Sequence, residues 1–212
     1  MKPVKPTKDT LNRSYILQTA LELLDNGGLQ KFTMRKLGQK MAVSPMAVYR
    51  YFPNQGALFD GLVELIWQKA LTTQSGQTDH NWQEQLIRIM AQLRETLLAH
   101  PQALSLISTH PLVTQSELMR VEEILSQLKS AGLVIQSTTV FLINSMTAYT
   151  LGFVWAEAIE PEGGKNADSN LLMDSQRYSD DFNQLMHPIM TNQFTTDQQF
   201  LMGIKALLAG WQ

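Results

Sequence analysis

Apolar residues recur at spacings of three and four along almost the whole chain, and no apolar–polar alternation bounded by turn residues marks a pair of strands. The pattern predicts an all-α fold without an internal repeat. Asn12 opens a first helix with Ile16, Ala20, Leu23 and Leu24 on one face, and Gly27 and Gly28 end it. Thr33 caps a short second helix built on Met34, Leu37 and Met41, ending near Ala42 and Val43. Ser44 and Pro45 start a third at once: the serine oxygen accepts a free backbone N–H, and proline takes the position where its missing donor costs nothing. That helix runs to Phe52 and stops at Pro53, with Val48 and Phe52 inward and Met46, Tyr49 and Arg50 outward. Asn54 caps a long fourth helix through Leu71. Beyond a polar loop at 72–81, helices are expected at 82–99, from Pro101 to before Pro111, at 116–131 with Gly132 as the stop, and at 138–160. A flexible loop at 161–177 precedes two closing helices at 180–190 and 196–209.

Charge divides this helical chain. Residues 1–55 hold nine Lys/Arg against three Asp/Glu, net +6, and the remainder holds eight against sixteen, net −8, giving the overall −2. A basic head on an acidic body points to a polyanion as partner of the head alone. There is no cysteine, so disulfides, thiolate nucleophiles and Cys-rich zinc sites are excluded, and a reducing cytoplasm fits. The start, MKPVKPTKDT, lacks the apolar run of an export signal and reads as a flexible basic arm. The uncharged stretch 131–156 is the one membrane-span candidate, and its Gln, Asn, Ser and Thr content assigns it to a soluble helix instead.

Two short helices joined by a tight turn and braced by a preceding helix form a helix-turn-helix, whose second helix enters a major groove about 12 Å wide. Thr33, Arg35 and Lys36 on the second helix are placed to grip the DNA backbone, with Ser44 and Pro45 at the start of the reading helix. Tyr49 and Tyr51 reach phosphates through their hydroxyls, Arg50 a phosphate or a guanine edge, and Met46 and Ala47 thymine methyl groups. A generic three-helix bundle with a charged surface shows the same periodicity.

The run FTMRKLGQKMAVSPMAVYRYFPNQGALFDGL resembles the DNA-binding head of the tetracycline repressor family. It has Thr and Arg opening the second helix, Val-Ser before the reading helix, and a Tyr-x-x-Phe core within it. The body is similar, more loosely, to the tetracycline repressor carboxy-terminal class at Trp82, Leu97–Leu98, Thr109–His110–Pro111, Ala131–Gly132 and Thr150–Leu151–Gly152. Where that family has a phosphate-contacting lysine opening the fourth helix, this chain has Gln55, which shifts the grip toward Lys36, Arg50 and the basic arm. The resemblance implies a basic arm at 1–10, a DNA-binding domain at 11–55, and a ligand-binding and dimerisation domain at 56–212. It implies a dimeric, ligand-responsive repressor that binds a palindromic operator in double-stranded DNA, its heads roughly 34 Å apart.

In the 138–160 helix, Phe141, Ser145, Ala148, Gly152 and Ala156 form a stripe of mostly small residues that permits close helix approach. The last helix carries Phe200, Ile204, Leu207 and Trp211 on one face, and the resemblance implies that the two helices pair with their copies as a four-helix bundle. An intramolecular core has the same spacing. A ligand pocket is expected among Trp67, Trp82, Met90, Leu93, Leu97, Ile107, Asn144 and Trp155, with His100 and His110 as polar partners, although Met and Trp at these spacings also serve as plain core. The family's namesake holds a magnesium–drug chelate with histidine, glutamate, asparagine and phenylalanine. The matching positions here are Ile107 or Leu106, Ala156, Ile89 and Leu93, so a small hydrophobic or aromatic effector without metal or other cofactor is expected. An enzyme would need a signature the chain lacks: it has no phosphate-binding loop, no H-E-x-x-H and no G-x-S-x-G, and its single S-x-x-K at Ser126 has no companion motif. A helical interaction adaptor, the other alternative, would use the stripe but leave the basic head idle.

Overall fold

The computed structural model describes residues 11–71, 81–107, 115–158 and 178–211; the basic arm, His110 and the 161–177 segment lie outside the described residues. Within them every regular element is helical, and the chain divides into two compact units, Met1–Ile135 and Gln136–Gln212.

The first unit contains α1 (Arg13–Gly27), α2 (Met34–Lys40), α3 (Pro45–Tyr49), α4 (Gln55–Ala70), α5 (Trp82–Ala99), α6 (Leu104–Ile107) and α7 (Gln115–Ser130). Asparagine side chains start three of them: Asn12, Asn54 and Asn81 accept from the backbone N–H of Tyr15, Ala57 and Glu84, each at 2.8 Å. Each bond satisfies one of the four N–H groups that a helix start leaves open. Thr33 does the same for Lys36 at 3.2 Å. Ser44 is the N-cap of α3 as expected, but its side chain accepts no bond, and Pro45 alone carries the start signal. The reading helix is also shorter than expected. Its last regular residue is Tyr49, and the chain reaches Phe52 through a turn in which Tyr51 and Phe52 both donate to the Val48 carbonyl, at 2.9 and 3.1 Å. The segment expected as one helix after Pro101 is a 3-10 turn, Pro101–Ala103, followed by α6.

The core of this unit runs without a break from head to body. Ile16, Ala20 and Leu24 of α1, Leu37 of α2, Val48 and Phe52 around α3, and Leu58, Leu62 and Ile66 of α4 are fully buried. Leu97 of α5 continues it, and α4 packs against both α1 and α5. A helix shared by head and body transmits displacement between them, because a close-packed interior yields little.

The second unit contains α8 (Thr139–Ala158), α9 (Asp180–Met190) and α10 (Thr196–Ala209). One face of α8, with Leu142, Met146, Thr150 and Val154, is buried, and α8 packs on α10. The Thr150 hydroxyl donates to the Met146 carbonyl at 2.8 Å, so no polar group is left open there. Tyr149 and Phe153 of α8 meet Phe200 of α10 with ring centroids 5.4–5.8 Å apart. Gly203 makes this approach possible: a Cβ there would overlap the Tyr149 ring and hydroxyl. Phe200 and Ile204, expected at a dimer interface, are both fully buried inside their own unit and belong to its core. Spacing alone does not distinguish these roles, because apolar residues occupy more than one face of α10.

Candidate nucleic-acid interface

Helices α2 and α3 meet through a turn that leaves no room for a side chain at Gly38. An added Cβ would lie 3.0 Å from the Val43 carbonyl oxygen and 3.3 Å from the Pro45 nitrogen. Ala42 adopts φ +56°, a left-handed conformation uncommon for alanine, and the Val43 N–H donates to the Gly38 carbonyl at 2.9 Å. The turn therefore sets the angle between the two helices, which the spacing of apolar residues did not indicate.

This geometry turns a connected set of side chains to solvent. Met46 is 70% exposed, Tyr49, Arg50 and Ser44 are exposed, and Pro45 and Ala47 are half-buried beside them. Thr33, Arg35 and Lys36 are exposed at the start of α2, and Gln55 is half-buried at the start of α4. Arg35, Tyr49 and Arg50 make no hydrogen bond or ion pair among the described residues, so their donors face water. Lys36 spends one of its three protons on the Lys31 carbonyl at 2.8 Å and keeps two. Other candidates have structural duties. Tyr51 was expected to reach a phosphate, but its hydroxyl donates its one proton to the Leu11 carbonyl at 2.5 Å and ties down the entry to α1. Lys40 pairs with Glu22 at 2.9 Å. Arg13, not singled out from the sequence, lies 4.4 Å above the Phe52 ring, a cation–π contact that closes the reading helix onto α1.

The expected ligand residues divide by unit. Trp67, Met90, Leu93, Leu97 and Ile107 are all buried in the first, and Trp82 is half-buried at the start of α5, its backbone N–H donating to the Ala131 carbonyl at 3.2 Å. His100 is committed elsewhere than to a ligand: its Nδ1 lies 2.9 Å from Asp25 Oδ2, linking the end of α5 to α1. Asn144 is exposed and Trp155 is 50% exposed on α8. The expected interface stripe is exposed throughout, with Phe141 at 63% beside Ser145, Ala148, Gly152 and Ala156. Leu207 and Trp211 are half-buried, and the outward face of α10 is instead Met202, Ala206 and Ala209, spaced by four and three. The α8 helix is long and apolar enough to cross a membrane by length and composition, a test that the core helix of a soluble protein also passes.

Residues 16–62 match the model of bacterial regulatory proteins of the tetR family, and residues 75–212 match that of the tetracyclin repressor-like C-terminal domain. The chain is 27% identical over 203 residues to the class E tetracycline repressor protein of Escherichia coli, covering 92% of this chain and 88% of that one. It is 30% identical over 154 residues to an HTH-type transcriptional regulator of Saccharopolyspora erythraea, covering 72% of this chain and 64% of that longer protein. A solved structure of a possible TetR family transcriptional regulator from Streptomyces coelicolor A3(2) superposes with a TM-score of 0.70 at 26% identity, covering 94% of this chain and 98% of that one. With a family model on each part of its length and a head that presents free cationic and aromatic side chains from a two-helix turn, the chain belongs to the tetracycline repressor family of bacterial transcriptional regulators.

Proposed function

We propose that this protein is a cytoplasmic, homodimeric repressor that binds a palindromic operator and releases it when a small hydrophobic or aromatic effector enters the body. The reading head is placed at 11–55, with effector binding and dimerisation at 56–212. The observation that carries the reading is the solvent-facing set Arg35, Lys36, Met46, Tyr49 and Arg50 on the glycine-tight α2–α3 pair. It combines phosphate-gripping cations with a base-reading helix. Arg35, Lys36 and Thr33 hold phosphates, Arg50 reads a guanine edge or holds a phosphate, and Tyr49 donates to a phosphate. The dimer places two such heads on successive turns of one DNA face, and the exposed α8 stripe with Met202, Ala206 and Ala209 supplies its surface. Effector binding then shifts the dimer toward a head spacing that the operator does not accept, a coupling of about 1–3 kcal/mol.

Fluorescence anisotropy on DNA from upstream of the protein's own gene, measured across a range of salt concentrations, tests this. Affinity should fall steeply with salt, and Arg50→Ala should cost about 1–3 kcal/mol without altering dimerisation. Binding that is absent or indifferent to salt would sink the reading.

A further inference from the structure

Trp67 lies in the last turn of α4, 7% exposed, and its indole Nε1 is buried without a hydrogen-bond partner. An indole N–H is a donor only, and buried tryptophans nearly always have an acceptor for it. One other buried side-chain atom among the described residues shares this state, Asp25 Oδ1, but its carboxylate is already engaged by His100 through Oδ2. Trp67 has no such second engagement.

The surroundings explain why nothing among the described residues meets it. Val63 and Ala70, its neighbours on the same face of α4, are apolar and buried. Helix α4 packs against α5, α6 and α7, and polar groups buried on α5 are satisfied elsewhere. Gln85 pairs with Gln127 of α7 at 3.2 Å, and the Thr96 hydroxyl donates to the Gln92 carbonyl at 2.8 Å. An enclosed water needs two to four polar partners; Arg94, the remaining polar side chain buried on α5, is already engaged, so among the described residues this wall leaves one donor open.

We propose that the Trp67 N–H is the specificity-determining donor for the effector, which therefore carries a neutral carbonyl-type acceptor, a ketone or quinone oxygen, on a flat apolar body. The inference rests on the effector-responsive reading above and narrows it. An apolar wall accepts many hydrocarbons alike, whereas a lone buried donor rejects any that leave it unpaired. Trp67 also shares α4 with Gly61, where an added Cβ would lie 3.1 Å from the Phe52 ring and 3.0 Å from Leu17 of α1. An acceptor seated at Trp67 thus acts on the helix that braces the reading head.

The test uses fluorenone and fluorene, two three-ring probes of nearly the same shape that differ in one carbonyl oxygen. Equilibrium dialysis with the full-length protein should show fluorenone binding about tenfold more tightly than fluorene, and Trp67→Phe should bring the two to equal affinity. In ¹⁵N-labelled wild-type protein the Trp67 indole signal should move with fluorenone and stay with fluorene, a readout that does not depend on the variant folding. Equal affinity of the probes for wild type, a preference that survives Trp67→Phe, an indole signal unmoved by fluorenone, or no binding of either probe would each overturn the proposal. Operator binding measured in the same samples separates the two readings: probe discrimination lost with operator binding intact removes only the donor inference, and absent operator binding removes the regulator reading.

Discussion

The reading head and the second unit both turn large apolar side chains to solvent, but they do so in different company. In the head, Met46, Tyr49 and Tyr51 are exposed among Arg35, Lys36 and Arg50, on a scaffold in which side chains cap the starts of α1 and α2 and the core residues are fully buried. In the second unit, Val140, Phe141, Trp155 and Met202 are exposed beside Ser145, Ala148 and Gly152, and α9 buries no residue while showing Phe182, Leu185 and Ile189 to water. Aromatic groups mixed with unpaired cations suit a polyanion that supplies both charge and flat apolar edges. An apolar surface studded with small residues suits another helix, because small side chains let backbones approach. The same excess of exposed apolar area thus indicates different partners, and the neighbouring residues decide which.

The contrast can be broken most forcefully at Phe52. Replacement by alanine opens the centre of the head and removes the ring beneath Arg13, at a cost of about 3–5 kcal/mol in urea denaturation. The second unit should still dimerise, and loss of the dimer in this variant would show that the two regions are not separable. Next, Ala148→Arg places a guanidinium in the proposed interface, which should weaken the dimer by about 3 kcal/mol in sedimentation equilibrium while the helical circular dichroism stays intact. An unchanged dimer would remove the α8 stripe from the interface. Within the second unit, Gly203→Ala forces the Tyr149 ring away from α10 and should cost about 1–3 kcal/mol, part of which Tyr149→Ala recovers in a double-mutant cycle. Additive losses would mean that the two residues do not oppose one another. The smallest effect is expected at Thr33, where alanine removes the cap of α2 for about 1 kcal/mol of head stability, read as a lower melting temperature.

Much of this was legible in the chain itself. Helix starts at Asn12, Thr33 and Asn54 and the stop at Gly28 fell where capping chemistry placed them, because caps are local and need no knowledge of the fold. The reading surface was legible for a similar reason: its members lie close together on two short helices, so their outward direction follows from the inward one. Tyr51 broke that logic, since its hydroxyl is used by Leu11, forty residues away.

What the sequence by itself determined is therefore the set of helices, the basic head and the identity of its exposed residues. Only the tertiary structure decided which face of α10 is core, why Gly38 and Gly203 must be glycine, that His100 answers to Asp25, and that Trp67 holds an unmet proton. The physical reason is distance along the chain. Periodicity and capping act over one or two turns, whereas a close approach, a hydrogen bond across 75 residues or an absent acceptor exists only once remote segments have packed.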